Sequence, residues 1–151
     1  EEVQTKVHMD CYRDIAAHDR LWGSFAWLMF DCASDNRHEG DRAGVNDKGL
    51  VTQDRTTMKD AYFLYKANWN PEPMLYLTGK RMLSTTNAVV DVVAFSTVGD
   101  VTLSVDGKPV ATQAPDEIKS VLFKSVPLSR GPHEIRVTAK NLEDHCIWRR
   151  K

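Results

Sequence analysis

Three side chains of different chemistry stand side by side in one polar, glycine-punctuated loop. They are Asn46, Asp47 and Lys48, within GVNDKGLVTQDR at residues 44–55. An amide both donates and accepts, a carboxylate only accepts, and an ammonium donates while carrying charge. In this N-x-K arrangement the Asn46 amide and the Lys48 ammonium can point into one pocket. There Lys48 would bind a carboxylate or a sugar hydroxyl, and Asn46 a hydroxyl or the loop backbone. The competing reading is a solvated loop that fixes its own turn ahead of Gly49. Upstream, Trp27 lies near the end of the apolar run LWGSFAWLMF, residues 21–30. A flat indole can cover the C–H patches of a sugar ring while its N–H stays available. From the residues alone, a core aromatic is an equal alternative. Asp31 and Asp35 follow this run and can orient the loop or bond sugar hydroxyls. Arg37, Glu39, Asp41 and Arg42 alternate in sign and read as an ion network bracing the loop.

Other chemistry is thinner. His8 and Cys11 form an H-x-x-C pair, half of a metal site. No second pair stands at ligand spacing, so both read as helix-face residues, and neither metal nor cofactor is expected. Cys11, Cys32 and Cys146 are widely spaced and odd in number, which argues against a disulfide framework. No two carboxylates are matched on rigid elements as a general acid and a nucleophile must be. No catalytic residue is therefore assigned.

The elements that must hold these residues fall into two parts. Val3, Val7, Cys11 and Ile15 recur every four residues, so residues 2–18 read as an amphipathic helix. Residues 21–30 form a nearly continuous apolar run of the kind seen in buried parallel strands. Residues 31–55 make a long polar loop, and loops of that length inside a domain are usually functional. Thr57 with Asp60 suggests a capping box for a helix over 57–69, which Pro71 and Pro73 stop. Trp22, Phe25 and the helical trio Tyr62, Tyr65 and Trp69 read as packing residues.

After residue 73 the pattern changes to MLYLTGKRM, AVVDVVAFST, VTLSVDG, KPVAT, SVLFKSVPL, HEIRVTA and CIWRRK. These short, β-branched runs predict an all-β unit, with a hairpin turn at Asp106-Gly107, another turn at Gly131-Pro132, and Trp148 in its core. Seven such strands argue for an immunoglobulin-like β-sandwich. The chain thus reads as an α+β protein of two parts. Residues 1–72 form a helix–strand–helix piece that cannot close a core alone, and 73–151 form the sandwich.

At 151 residues, 42% hydrophobic and 27% charged, the composition is that of a soluble globular protein. A net charge of −1 gives no general pull toward nucleic acid or an anionic membrane. No apolar run approaches the roughly 20 residues that span a bilayer. The first residues, EEVQTKVHMD, read neither as a signal peptide nor as a natural start, so a longer parent is expected.

Three motifs in order, WGxFxWxMFD, RxEGDRxGxNDKGLVxxDR and KDAxxxYKANW, resemble the C-terminal end of the catalytic barrel in family 2 glycoside hydrolases. The β-galactosidase-type members are the nearest pattern. The runs VTLSVDGKPV and CIWRRK are similar to the sandwich that follows the barrel. The resemblance implies that residues 1–18 are the seventh helix of a (β/α)₈ barrel and 21–30 its eighth strand. Residues 31–56 would be a loop at the catalytic face, and 57–69 the eighth helix. Active sites of such barrels lie at the C-terminal ends of the strands.

It further implies that Trp27 lines the sugar subsite with a cis Trp27–Leu28 bond. Asn46 and Lys48 would be substrate contacts, with Asp31 beside them. The two catalytic glutamates would stand on earlier strands, outside this chain. The expected reaction is retaining hydrolysis of a terminal β-galactoside. A β-glucuronide is the alternative, because an N-x-K motif grips the uronic acid carboxylate in β-glucuronidases. A non-catalytic scaffolding or carbohydrate-binding module is the rival from another class. The expected partners are the carbohydrate and the remainder of the parent enzyme, with homo-oligomer formation left open. The resemblance also suggests a periplasmic or secreted parent.

Overall fold

The computed structural model describes residues 1–37, 42–82 and 84–151. Its contacts divide the chain into two compact units, Glu1–Tyr65 and Lys66–Lys151. The sequence reading set its division at 72/73.

In the first unit, α1 spans Glu2–Ala16. It stops two residues short of the expected end. The His18 N–H turns back to the Ile15 carbonyl at 3.1 Å, and the His18 ring Nδ1 takes the Asp14 carbonyl at 2.6 Å. Those bonds satisfy carbonyls that a longer helix would have bonded itself. The four-residue apolar stripe is not the covered face: Val3, Val7 and Cys11 are exposed. Thr5 and Met9 are buried instead. Tyr12 joins a small cluster with Leu50, Ala61 and Tyr65, meeting the Tyr65 ring edge-on at 5.7 Å.

Residues 21–30 depart from the expected buried strand. Only their end is paired, through a parallel bridge between Phe30 and Val51. Leu50 N–H donates to the Leu28 carbonyl and Val51 N–H to that of Met29, both at 2.9 Å. Trp22 and Phe25 are 91% and 88% exposed, so they are not packing residues here. The physical reason is that a parallel strand is buried only when strands flank it on both sides. Among the described residues this run has one short neighbour.

The polar stretch that follows has structure of its own. Strand β1 (Cys32–Ala33) pairs antiparallel with β2 (Val45–Asn46), Cys32 opposite Asn46. Beyond it, Val51 bridges Met58 across a turn closed by the Arg55 N–H on the Thr52 carbonyl, 2.8 Å. The expected ion network of Arg37, Glu39, Asp41 and Arg42 cannot be followed, because Glu39 and Asp41 lie outside the described residues. Helix α2 spans Asp60–Trp69. It starts three residues after Thr57, whose N–H is held by the Thr52 hydroxyl at 3.1 Å and whose carbonyl accepts the Thr52 N–H. Thr57 closes the preceding turn and does not cap the helix. Tyr65 is buried, whereas Trp69 is more than half exposed and is not core.

Among the described residues the second unit holds seven strands, one in each predicted run. They are β3 (Leu75–Leu77), β4 (Val89–Ser96), β5 (Val101–Val105), β6 (Lys108–Gln113), β7 (Ser120–Pro127), β8 (Gly131–Ala139) and β9 (Leu142–Arg150). Two antiparallel sheets result, in the orders β3-β4-β7 and β6-β5-β8-β9. Both sheets feed one core. Leu77, Val92, Ala94, Val121 and Phe123 come from the first, and Val101, Leu103, Ile135, Val137 and Trp148 from the second. The alternation along β8, with His133, Ile135, Val137 and Ala139 buried, is the period of two expected of a half-buried strand.

Asp106 and Gly107 have φ of 51° and 75°, the left-handed pair that a two-residue hairpin turn requires. Trp148 anchors the core as predicted, donating its indole N–H to the Gly79 carbonyl at 2.9 Å. Gly79 has φ of 76°, and a Cβ there would sit 2.7 Å from Cζ2 of Trp148. That position needs glycine on both counts.

Candidate functional site

The predicted site residues all lie in the first unit, and the structure gives them different work. Trp27 is 75% exposed and its peptide bond to Leu28 is cis. It belongs to a run of exposed apolar side chains, Leu21, Trp22, Phe25, Trp27 and Met29. Its neighbour Ala26 instead packs against the Leu50–Ala61–Tyr65 cluster. Trp22 and Phe25 meet edge to face at 6.3 Å.

Asp31 is 4% exposed and is bonded within the loop. Its Oδ1 accepts from the Lys59 ammonium and from the Gly49 backbone N–H, both at 2.8 Å. Its backbone N–H donates to the Val51 carbonyl at 2.9 Å. Lys59 is buried too, and also donates to the Asp47 carbonyl at 2.7 Å. A charge is taken out of water at a cost of several kcal/mol unless it is paired and hydrogen-bonded. Here the two charges satisfy one another and the loop backbone.

Asn46 and Lys48 meet within the loop. The Asn46 side chain is buried, and its Oδ1 accepts the Lys48 backbone N–H at 3.3 Å, an Asx turn. The turn-fixing reading of Asn46 therefore describes its carbonyl oxygen. The Lys48 side chain is exposed. From α1, the Gln4 amide donates to the Lys48 and Gly49 carbonyls at 3.1 and 3.0 Å. Gly49 is obligatory for packing. A Cβ there would be 2.5 Å from the Phe30 carbonyl carbon and 2.6 Å from Asp31 Oδ1. The backbone passes so close to Asp31 that only a hydrogen fits.

Reading the sequence missed Lys59 and Gln4. Lys59 stands in the KDA motif, but its partners are 12 and 28 residues away along the chain, and no local periodicity signals them. The site's edge carries one more charged contact, the Arg55 guanidinium 4.6 Å from the Phe30 ring centroid. Arg55 has φ of 63°. The neighbouring Asp54 carboxyl is held below its ordinary value by the Thr52 hydroxyl and then by the Thr56 N–H.

Two other clusters have the residue types of chemistry. His8 Nδ1 lies 2.9 Å from the Tyr65 hydroxyl, and burial lowers the His8 pKa. No group of three or more metal-ligating side chains occurs among the described residues. In the second unit, Ser129, His133 and Asp106 line up like a catalytic triad. Ser129 Oγ is 3.2 Å from His133 Nε2, and Asp106 Oδ2 is 2.7 Å from Nδ1. Nε2 also lies 2.8 Å from the Ser129 carbonyl, which can only accept. Both ring nitrogens therefore carry hydrogen, and the Asp106 carboxylate raises the His133 pKa accordingly. With Nε2 directed to the Ser129 carbonyl, the ring presents a donor and not a lone pair on the serine side, so the trio has the geometry of a clamp.

No family profile matches the chain. It is 45% identical over 139 residues, 91% of its length, to the β-glucuronidase of Bacteroides fragilis. Among solved structures, an FMN-binding β-glucuronidase from Faecalibacterium prausnitzii superposes with a TM-score of 0.90 at 31% identity over 99% of the chain. A candidate β-galactosidase from Bacteroides fragilis gives the same values. The chain spans about one fifth of the length of these relatives: 20% of the first and 23% of each of the other two. By sequence and by fold, the chain is homologous to one segment of glycoside hydrolases of the β-glucuronidase and β-galactosidase type.

Proposed function

We propose that this chain is the C-terminal part of a retaining family 2 glycoside hydrolase of the β-glucuronidase kind, and that it forms one wall of the glycone pocket. Residues 1–72 would be the last part of a (β/α)₈ barrel: α1 its seventh helix, 21–30 its eighth strand and α2 its eighth helix. Residues 73–151 would be the immunoglobulin-like sandwich that follows.

The observation that carries the reading is the tethered loop from Asn46 to Gly49, which holds Lys48 as an exposed residue on a fixed backbone. An ammonium on a rigid backbone suits a carboxylate on the sugar. The Asn46 oxygen is engaged in its turn, so its amide NH₂ is the group left for a hydroxyl. Trp27 would offer its indole face to the ring. Asp31 is reassigned from sugar contact to support of the loop. The exposed apolar run from Leu21 to Met29 and the outward Val3 and Val7 fit contact with the rest of the parent enzyme.

Retaining hydrolysis needs two carboxyl groups about 5–5.5 Å apart. Both would come from earlier barrel strands, so this chain contributes binding and not bond cleavage. The sequence pattern favoured a β-galactoside; the 45% identity to a β-glucuronidase moves preference to the uronide. A galactoside remains the second reading because one of the two structures at TM-score 0.90 is a candidate β-galactosidase.

The test is Lys48→Ala in the intact enzyme, assayed with 4-nitrophenyl β-D-glucuronide. A hydrogen bond to a charged group is worth about 1.5–3 kcal/mol, so KM should rise roughly 10- to 150-fold. A wild-type enzyme that prefers 4-nitrophenyl β-D-galactoside, or an unchanged KM in the variant, refutes the uronide reading.

A further inference from the structure

Residues 47–49 are bonded in an unusual way for a loop. The Asp47 carbonyl, both backbone groups of Lys48 and both of Gly49 are all satisfied by side chains, with no ladder involved. Four side chains from four places do this: Asn46 within the loop, Asp31 at the end of the apolar run, Lys59 at the start of α2, and Gln4 on α1. Each bond would be lost if the loop moved by much over an ångström, since hydrogen bonds weaken steeply with distance and angle.

We propose that the buried Lys59–Asp31 pair is a positioning device for substrate recognition. It sets where the Lys48 ammonium stands by gripping the loop on both sides of it. Lys59 holds the Asp47 carbonyl before Lys48, and Asp31 holds the Gly49 N–H after it. Lys59 joins the two grips by donating to the Asp31 oxygen that Gly49 also uses. The absence of a side chain at Gly49 lets the backbone reach that oxygen. A buried ion pair is a weak source of net stability, and in this scheme its contribution is a fixed loop geometry. Lys59 touches no substrate in this scheme; it acts through the loop. The proposal rests on the reading that Lys48 meets the glycone.

The experiment uses the intact enzyme with 4-nitrophenyl β-D-glucuronide and compares Lys59→Met, Lys59→Arg and Lys48→Ala. A misplacement of about 1 Å in a binding group can cost up to about 100-fold. Lys59→Met should therefore raise KM roughly 10- to 100-fold with a much smaller change in kcat. Lys59→Arg, which keeps the charge and several donors, should recover most of the loss. A purely structural role would instead lower the active fraction, reducing kcat at unchanged KM, and that result overturns the proposal. An unchanged KM in Lys59→Met beside a raised KM in Lys48→Ala sinks the positioning role alone. An unchanged KM in Lys48→Ala sinks the functional reading and this proposal with it. If Lys59→Met does not accumulate, Asp31→Asn carries the test. It keeps an oxygen for the Gly49 N–H but removes the charge that holds Lys59, and its KM should rise severalfold; no rise overturns the scheme.

Discussion

Gly49→Ala is the substitution that probes the loop most directly. The added methyl would lie 2.5 Å from the Phe30 carbonyl carbon and 2.6 Å from Asp31 Oδ1. Ordinary contact between carbons begins near 3.5 Å, so the two segments must part by about 1 Å. Overpacking of this size costs about 1–3 kcal/mol. The separation also strains the Gly49 N–H bond to the Asp31 carboxylate, a charge-assisted bond worth about 1.5–3 kcal/mol. These effects together predict destabilisation of about 2.5–6 kcal/mol, at the high end for a single change. The loss should appear first in the loop. Urea titration with peptide-resolved hydrogen exchange would show lost protection across residues 46–52 before the second unit responds. Gly23→Ala is the internal control, because nothing lies within 4 Å of a Cβ there and its effect should stay within about 0.5 kcal/mol. The reasoning fails if Gly49→Ala is as mild as Gly23→Ala.

Two further predictions concern the second unit. His133 is raised above its unfolded value of about 6.5 by Asp106 and then by the Ser129 carbonyl. Its contribution is therefore full below pH 6.5 and is lost as pH rises through the folded-state value. Urea midpoints measured from pH 6 upward should fall in the wild type, and the fall should flatten in His133→Gln; parallel curves would refute the clamp. Trp148→Phe removes the indole donor from the Gly79 carbonyl, which keeps the Met82 N–H at 3.0 Å, and opens space where the larger ring sat. One hydrogen bond and part of the ring's packing are lost, so it should cost about 1–3 kcal/mol, read as a lower thermal midpoint; an unchanged midpoint would refute the anchoring role.

What the sequence determined by itself was local and periodic. Each of seven β-branched runs became a strand, because alternation of apolar residues is set within the strand itself. Asp106-Gly107 could be placed as a hairpin turn, since few residues tolerate its positive φ. Trp148 was legible as core for its size. The quoted motifs pointed to glycoside hydrolases, and the comparisons bear that out. The cis Trp27–Leu28 bond followed from the same likeness.

Tertiary structure decided what depends on partners distant in the chain. The valine stripe of α1 looked like its inner face, yet Thr5 and Met9 are what the unit covers. Burial depends on which neighbours are present, and periodicity alone does not name them. Trp22 and Phe25 read as packing residues but stand in solvent for the same reason. For Asp31 the sequence left loop support and sugar contact both open, and its pairing with Lys59 lies 28 residues on. A carboxylate's role is set by what meets its oxygens, and no spacing in the sequence records that meeting.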